Sequence, residues 1–232
     1  MRRISRILVI AILLYPALLF GEEKLLTTIH TNDLHSHLLG FSPNIDYTPL
    51  RTGDDQTVGG WARIAAVIKS EKARRTNPTL VLDAGDFLMG SLFHMVAREE
   101  ALELRLMKEM GYDAVTLGNH EFDLTPHGLA RILNSAYQKG GMPEIVFSNP
   151  IFHPEDTEDD TLEELFKKRI VKPYIIKEIQ GIRIGIFGKE AAEVSPFARP
   201  MKFRDPIETS RIRIVMDFLT FPRNIKGNLV EL

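Results

Sequence analysis

Lys24-Leu-Leu-Thr-Thr-Ile-His-Thr31, running directly into Asn32-Asp33-Leu34-His35-Ser36-His37, is the stretch whose reading decides the fold. A β-branched-rich run that stops at a polar cluster reads as a buried strand feeding a loop. The pattern returns twice. Thr79-Leu-Val-Leu82 exits into Asp83-Ala-Gly-Asp86, and Ala114-Val-Thr-Leu117 exits into Gly118-Asn119-His120-Glu121-Phe122-Asp123. Helical periodicity lies between these strands. Trp61, Ile64, Ala65 and Ile68 fall at i, i+3, i+4 and i+7 of a segment running to about Arg75 and stopped by Pro78. Leu102, Leu106 and Met110 recur every four residues ahead of a closing Gly111. Strand, helix, strand, helix is the alternation of an α/β protein, with a mixed sheet covered by helices.

Further along, Thr125-Pro126 reads as an N-cap followed by proline at the first helical position, with Leu129, Ile132, Leu133 and Ala136 on the buried face and Gly140-Gly141 at the end. Glu144-Ile-Val-Phe147 is a fourth strand. The acidic run from Pro154 to Glu164 reads as a solvated loop or helix start. Pro173 to Ile179 and Ile182 to Phe187 flank Gln180-Gly181 as a hairpin with a glycine in its turn. A helix is expected from about Ile207 to Leu219.

The 232 residues are 44% apolar and 26% charged, enough to bury a sizeable core, which removes disordered, collagen-like and coiled-coil classes. Twenty-nine Lys and Arg against 31 Asp and Glu offer no bulk charge for a nucleic-acid polymer. The absence of cysteine excludes disulfides, thiolate metal sites, a cysteine nucleophile and a lipid-modified Cys anchor.

Arg2, Arg3 and Arg6 precede 14 residues, Ile7 to Phe20, that are apolar and contain Pro16, and the chain turns polar at Gly21-Glu22-Glu23-Lys24. That is the charged and apolar composition of a secretory signal, and it is short of the about 20 residues a membrane span requires. The expectation is a signal peptide over residues 1–21 and export to a periplasmic or extracellular space, with membrane tethering by an uncleaved signal as the alternative. Cleavage would remove three arginines and no acid, leaving 26 basic against 31 acidic residues, or −5.

The three strand exits carry the chemistry. Each cluster alone fits an ordinary capped turn, but parallel neighbouring strands would bring all three to one carboxyl edge, where α/β proteins build their sites. Asp, His, Asp and Asn form a mixed oxygen and nitrogen set suited to manganese, zinc, iron or magnesium. Asp86, between the other clusters in the chain, is the candidate to bridge two cations, whose mutual repulsion at about 3.5–4 Å needs a shared anion. Hydrolysis is the reaction that follows.

His30-Thr-Asn-Asp-Leu-His35, Asp83-Ala-Gly-Asp86 and Gly118-Asn-His-Glu-Phe-Asp123 resemble the first three metallophosphoesterase motifs of the secreted 5′-nucleotidase, UDP-sugar hydrolase and 2′,3′-cyclic phosphodiesterase family. Gly59-Gly60-Trp61-Ala62-Arg63 resembles that family's segment before its first helix, and the similarity runs from about Leu25 to about Glu208. The resemblance implies a calcineurin-like metallophosphoesterase fold of mixed β-sheets flanked by helices, incomplete at the C-terminus. It implies two divalent metal ions, with Asp33 and His35 on one, Asp86 bridging and Asn119 on the second, and His120 and Asp123 as the catalytic pair. The implied activity is release of phosphate from small nucleotides or other phosphoesters by attack of metal-bound hydroxide. His30 is expected to be packed within its strand and His37 to flank the site, Glu121 to orient the loop or face solvent, and His94, His127 and His153 to be ordinary residues.

The family adds a Ser-His and a Gly-His-x-His motif and then a C-terminal substrate domain, whereas this sequence has no histidine after His153 and drifts from the family over residues 209–232. Residues 22–232 are therefore expected to be the N-terminal part of a metallophosphoesterase domain, family-like to about residue 208, with a C-terminal part needed to complete it. The alternative function is a truncated or degenerate, catalytically inactive metal-binding remnant; separately, the apolar residues Ile212, Ile214, Val215, Phe218 and Leu219 of the tail lead to an expectation of low stability or aggregation.

Overall fold

The computed structural model describes residues 24–40, 57–152, 154–155 and 157–189, and the strand backbone at 202–203, 212–216 and 225–231. The leader expected over residues 1–21, most of the loop over 40–60 and His153 lie outside the described residues.

The three strands read from the sequence are β1 (Lys24–Thr31), β2 (Thr79–Asp83) and β3 (Ala114–Val115), joined by β4 (Glu144–Val146). Later in the chain come β5 (Pro150–Ile151), β6 (Val171–Lys172), β7 (Ile175–Ile179), β8 (Ile182–Gly188), β9 (Lys202–Phe203), β10 (Ile212–Met216) and β11 (Ile225–Glu231). The larger sheet has the order β11-β1-β2-β3-β4-β6, and every pairing in it is parallel. The antiparallel strands collect in two smaller sheets, β10-β8-β7 and β5-β9.

Helices α1 (Trp61–Arg74), α2 (Ala97–Glu100), α3 (Leu102–Met110), α4 (Thr125–Gln138) and α5 (Asp160–Lys167) connect the strands. In α1, Trp61 and Ile68 are buried and Ile64 and Ala65 half-buried, as the spacing predicts. Thr125 stands at φ 67° and its hydroxyl accepts the N–H of Gly128 at 3.4 Å, which is capping behaviour at the head of α4. All four apolar residues assigned to the buried face of α4 are buried. Gly111 closes α3 at φ 89°, a left-handed cap that glycine adopts without strain.

Both faces of the parallel sheet are covered. Alternation along β2 sends Val81 into the helix-side core with Ile29, Leu104, Met107, Ile132 and Leu133. Leu80 and Leu82 go to the other face, with Leu26, Val146, Ile182, Ile184 and Ile186 of the hairpin strand. Burial of each such side chain contributes roughly 1.5–3 kcal/mol, which explains why β2 is a continuous apolar run. The hairpin turns on Gln180 (φ 49°) and Gly181 (φ 73°) between the paired Ile179 and Ile182. Positive φ at both central residues matches the right-handed twist of the two strands.

Two expectations are corrected. On α3, Leu102, Leu106 and Met110 are only half-buried, and the centre of the buried face is Glu103, Leu104 and Met107. A four-residue recurrence drifts around a 3.6-residue helix, and the inward acid, Glu103, finds a hydroxyl partner in Ser36. The second correction concerns the helix expected from Ile207 to Leu219. Ile212–Met216 is strand β10, antiparallel to β8. Three of its five residues are β-branched, a composition that favours extended backbone, and β8 presents an edge to pair with. The acidic run resolves into a helix start, with α5 opening at Asp160.

Candidate metal centre

Because β1, β2 and β3 are adjacent and parallel, the three polar clusters emerge at one edge of the sheet. The first two loops continue the pairing of their strands. Asp33 N–H donates to Gly85 O at 3.0 Å, His35 N–H to Asp86 O at 3.0 Å, and Ser36 N–H to Phe87 O at 2.9 Å. Asp33 (φ 55°), His35 (φ 46°), Ser36 (φ 51°) and Asp86 (φ 57°) all adopt left-handed backbone. Such conformations cost non-glycine residues roughly 1–3 kcal/mol each and persist where surrounding bonds fix them. The inter-loop bonds supply that fixing.

The result is convergence. One ligand-capable atom from each of Asp33, His35 and Asp86 lies within 4.8 Å of the others. Asp33 is exposed, His35 half-buried and Asp86 buried, so the group opens to solvent on one side. His35 Nδ1 lies 3.1 Å from Leu88 O. A carbonyl can only accept, so Nδ1 carries the hydrogen, and in the neutral ring Nε2, 3.8 Å from Asp33 Oδ1, holds the lone pair a metal would use. Oxygen and imidazole donors converging on one open point fit a hard or borderline divalent cation.

The third cluster folds as a 3-10 helix, His120–Leu124. Three residues per turn place i and i+3 on one side, and His120 Nδ1 meets Asp123 Oδ2 at 2.6 Å. His120 N–H also donates to Asp86 Oδ1 at 2.9 Å, and its ring centroid is 5.0 Å from that of His35. Asn119 precedes this helix, half-buried, with its backbone O accepting from Phe122 N–H at 3.1 Å. All six residues read from the sequence as candidates thus sit on three neighbouring strand exits.

The glycines explain how the loops come so close. A Cβ on Gly118 would lie 2.2 Å from Asp86 Oδ1, and one on Gly85 would lie 2.4 Å from Gly118 N. The Gly59-Gly60-Trp61 segment backs the first loop, with Trp61 N–H donating to Leu38 O at 3.1 Å. His30 is half-buried in β1, and the His37 ring stands 6.4 Å from that of His35. Burial, then the charge of His35, lower the pKa of His37.

Sequence reading leaves Glu121 between two alternatives and assigns no role to Asp83. Glu121 is fully buried and accepts from the N–H groups of Asp86 (2.8 Å), Gly118 (2.6 Å) and Leu88 (3.0 Å), which settles its alternatives in favour of orienting the loop. Burial and then the neighbouring Asp86 push it up to about 8, against the pull of these three donors. Asp83 is also fully buried, accepting from Thr31 Oγ1 at 2.6 Å and Gly85 N–H at 3.0 Å, and burial pushes it up to about 7. Thr31 in turn bonds Tyr112 Oη at 2.8 Å. The signal was present in Glu121's place inside a strand-exit motif, but one acidic letter does not reveal which backbone amides will surround it.

Residues 26–177 match the family model for calcineurin-like phosphoesterases. A probable 5′-nucleotidase of Treponema pallidum is 35% identical over 190 residues, covering 80% of this chain and 29% of its own length. A snake venom 5′-nucleotidase of Gloydius brevicauda is 31% identical over 186 residues, covering 79% of this chain and 29% of its own. Among solved structures, a 5′-nucleotidase precursor from Thermus thermophilus superposes with a TM-score of 0.55 at 31% identity, covering 77% of this chain and 32% of that one. The chain spans about three tenths of the length of these relatives.

Proposed function

Since the chain belongs to the calcineurin-like phosphoesterase family, we propose that it hydrolyses phosphate esters of the nucleotide class at the carboxyl edge of its parallel sheet. The observation that carries this reading is the meeting of Asp33, His35 and Asp86 within 4.8 Å, beside a His120–Asp123 pair at 2.6 Å. Asp33 and His35 would hold one divalent cation, Asp86 would be shared between two, and Asn119 would hold the second. Manganese, zinc, iron and magnesium all suit these donors. Bound there, the cations supply Lewis-acid charge that offsets the phosphoryl oxygens and activates the attacking water.

The chain's own residues do the rest. Asp123 Oδ2 accepts from His120 Nδ1–H at 2.6 Å and so orients the ring. A hydrogen on His120 Nε2 would then be placed to donate to a phosphoryl oxygen, where negative charge builds in the transition state. Asp86 Oδ1, held by His120 N–H, keeps the dyad in register with the metal position. The charged start and 14-residue apolar stretch support a signal over residues 1–21 and export, with residues 22–232 as the N-terminal part of the phosphoesterase domain. Among the described residues no helix is long and apolar enough to cross a membrane.

The test is manganese-stimulated phosphate release from a nucleoside monophosphate, compared with Asp86→Ala. Release that disappears in the variant supports the reading, and equal rates for the two proteins refute it.

A further inference from the structure

Every hydrogen bond that Glu121 makes is to a backbone N–H, and the three donors belong to two different loops. Oε2 takes Asp86 N–H and Gly118 N–H, and Oε1 takes Leu88 N–H. Each residue it grips is a candidate ligand or bears directly on one. Asp86 is itself the central carboxylate, and its C=O accepts His35 N–H at 3.0 Å. The Leu88 C=O accepts from His35 Nδ1, the bond that leaves Nε2 available. Gly118 directly precedes Asn119 and His120.

From these contacts we propose that Glu121 is a positioning residue that joins the second and third loops into one metal-binding unit. It sets the place of Asp86, the ring orientation of His35 and the start of the Asn119-His120 segment without touching a cation. The proposal rests on the metal-site reading given above. A carboxyl group suits the task because both its oxygens carry lone pairs that the amides reach. Glutamine offers a single acceptor oxygen, and its NH2 would face one of the N–H donors instead of receiving it. Aspartate is a methylene short of spanning the three amides. Outer partners that orient ligands in this way typically control metal affinity by about 10–100-fold.

Manganese titration calorimetry on the full chain tests this, with thermal unfolding and amide hydrogen exchange on the same samples. Glu121→Gln is expected to weaken manganese binding about 10–100-fold and to speed exchange at the Leu88 and Gly118 amides. Leu133→Ala, which opens a cavity in the helix-side core and removes none of the three hydrogen bonds to Glu121, is expected to lower Tm with manganese affinity kept within about twofold. If Glu121→Gln does not yield soluble protein, Glu121→Asp is read in its place with the same expected loss. Wild-type affinity in the Glu121 variant, or an equal loss in Leu133→Ala, overturns the proposal by showing that Glu121 serves stability alone. If Asp86→Ala leaves manganese binding unchanged, the metal-site reading itself fails and the proposal falls with it.

Discussion

Replacing Asp83 by Asn is expected to stabilise the metal-free chain at pH 8 and to leave it nearly unchanged at pH 4. Burial raises the Asp83 carboxyl from its ordinary 3.8 to about 7, opposed by bonds from Thr31 and Gly85. In the unfolded chain the proton leaves near the ordinary value, whereas the folded chain keeps it until about 7. Between those values the folded state binds the extra proton, so stability falls as pH rises through the window and levels off above it. At 1.36 kcal/mol per pH unit, the full cost above the window is about 4 kcal/mol, an upper figure because a buried site relaxes around its charge. Asn has no proton to lose. Its Oδ1 can keep the Gly85 N–H, and its Nδ2 can donate to Thr31 Oγ1, whose own proton can turn toward Tyr112 Oη. Urea unfolding of both proteins from pH 4 to pH 8, in chelator, measures the difference directly. Curves that stay parallel across that range, or a variant less stable at pH 8, would refute the reasoning.

Two further substitutions probe the same edge. Gly118→Ala places a Cβ 2.2 Å from Asp86 Oδ1; the forced shift is expected to reduce phosphate release about 100-fold, and a rate within threefold of wild type would contradict the close approach. Glu103 is buried, with Oε1 bonded to Ser36 at 2.8 Å and Oε2 without a partner, and burial raises its carboxyl above the usual range. A raised carboxyl loses stability as pH climbs past its unfolded value, so Glu103→Gln is expected to gain stability relative to wild type as pH rises from 4 to 8, and a difference in urea midpoint that stays constant over that range would count against it.

The strands that bear the site were legible because each is a short apolar run ending abruptly in polar residues, and parallel order made their exits coincide. His120 and Asp123 were legible as candidates, although their contact depends on a 3-10 turn that no periodicity in five residues announces. What could not be read is the second layer of carboxylates. Whether Glu121, Asp83 and Glu103 point in or out depends on which amides and hydroxyls the loops bring to them, and that is tertiary information. The tail differs from its expected helix for a related reason. Ile212 to Leu219 satisfies a helical spacing on paper, yet a strand formed where β8 offered hydrogen-bond partners.

The Gln180-Gly181 turn has a consequence for the order in which the molecule assembles. It closes a pairing between residues three apart, Ile179 and Ile182, and such hairpins form in about 1–10 μs. The bonds that shape the loops at the carboxyl edge join residues much further apart, 34 for His120 to Asp86 and 35 for Asp86 to Glu121. Their loop-closure entropy must be met before any contact rewards it. The hairpin is therefore expected to be an early local unit on which the parallel sheet can collect, and the reactive edge to be among the last parts built. Pulse-labelled hydrogen exchange during refolding would show it as late protection at Asp86 and Leu88, whose amides bond Glu121 across 35 and 33 residues, after the amides of β7 and β8 are already slow.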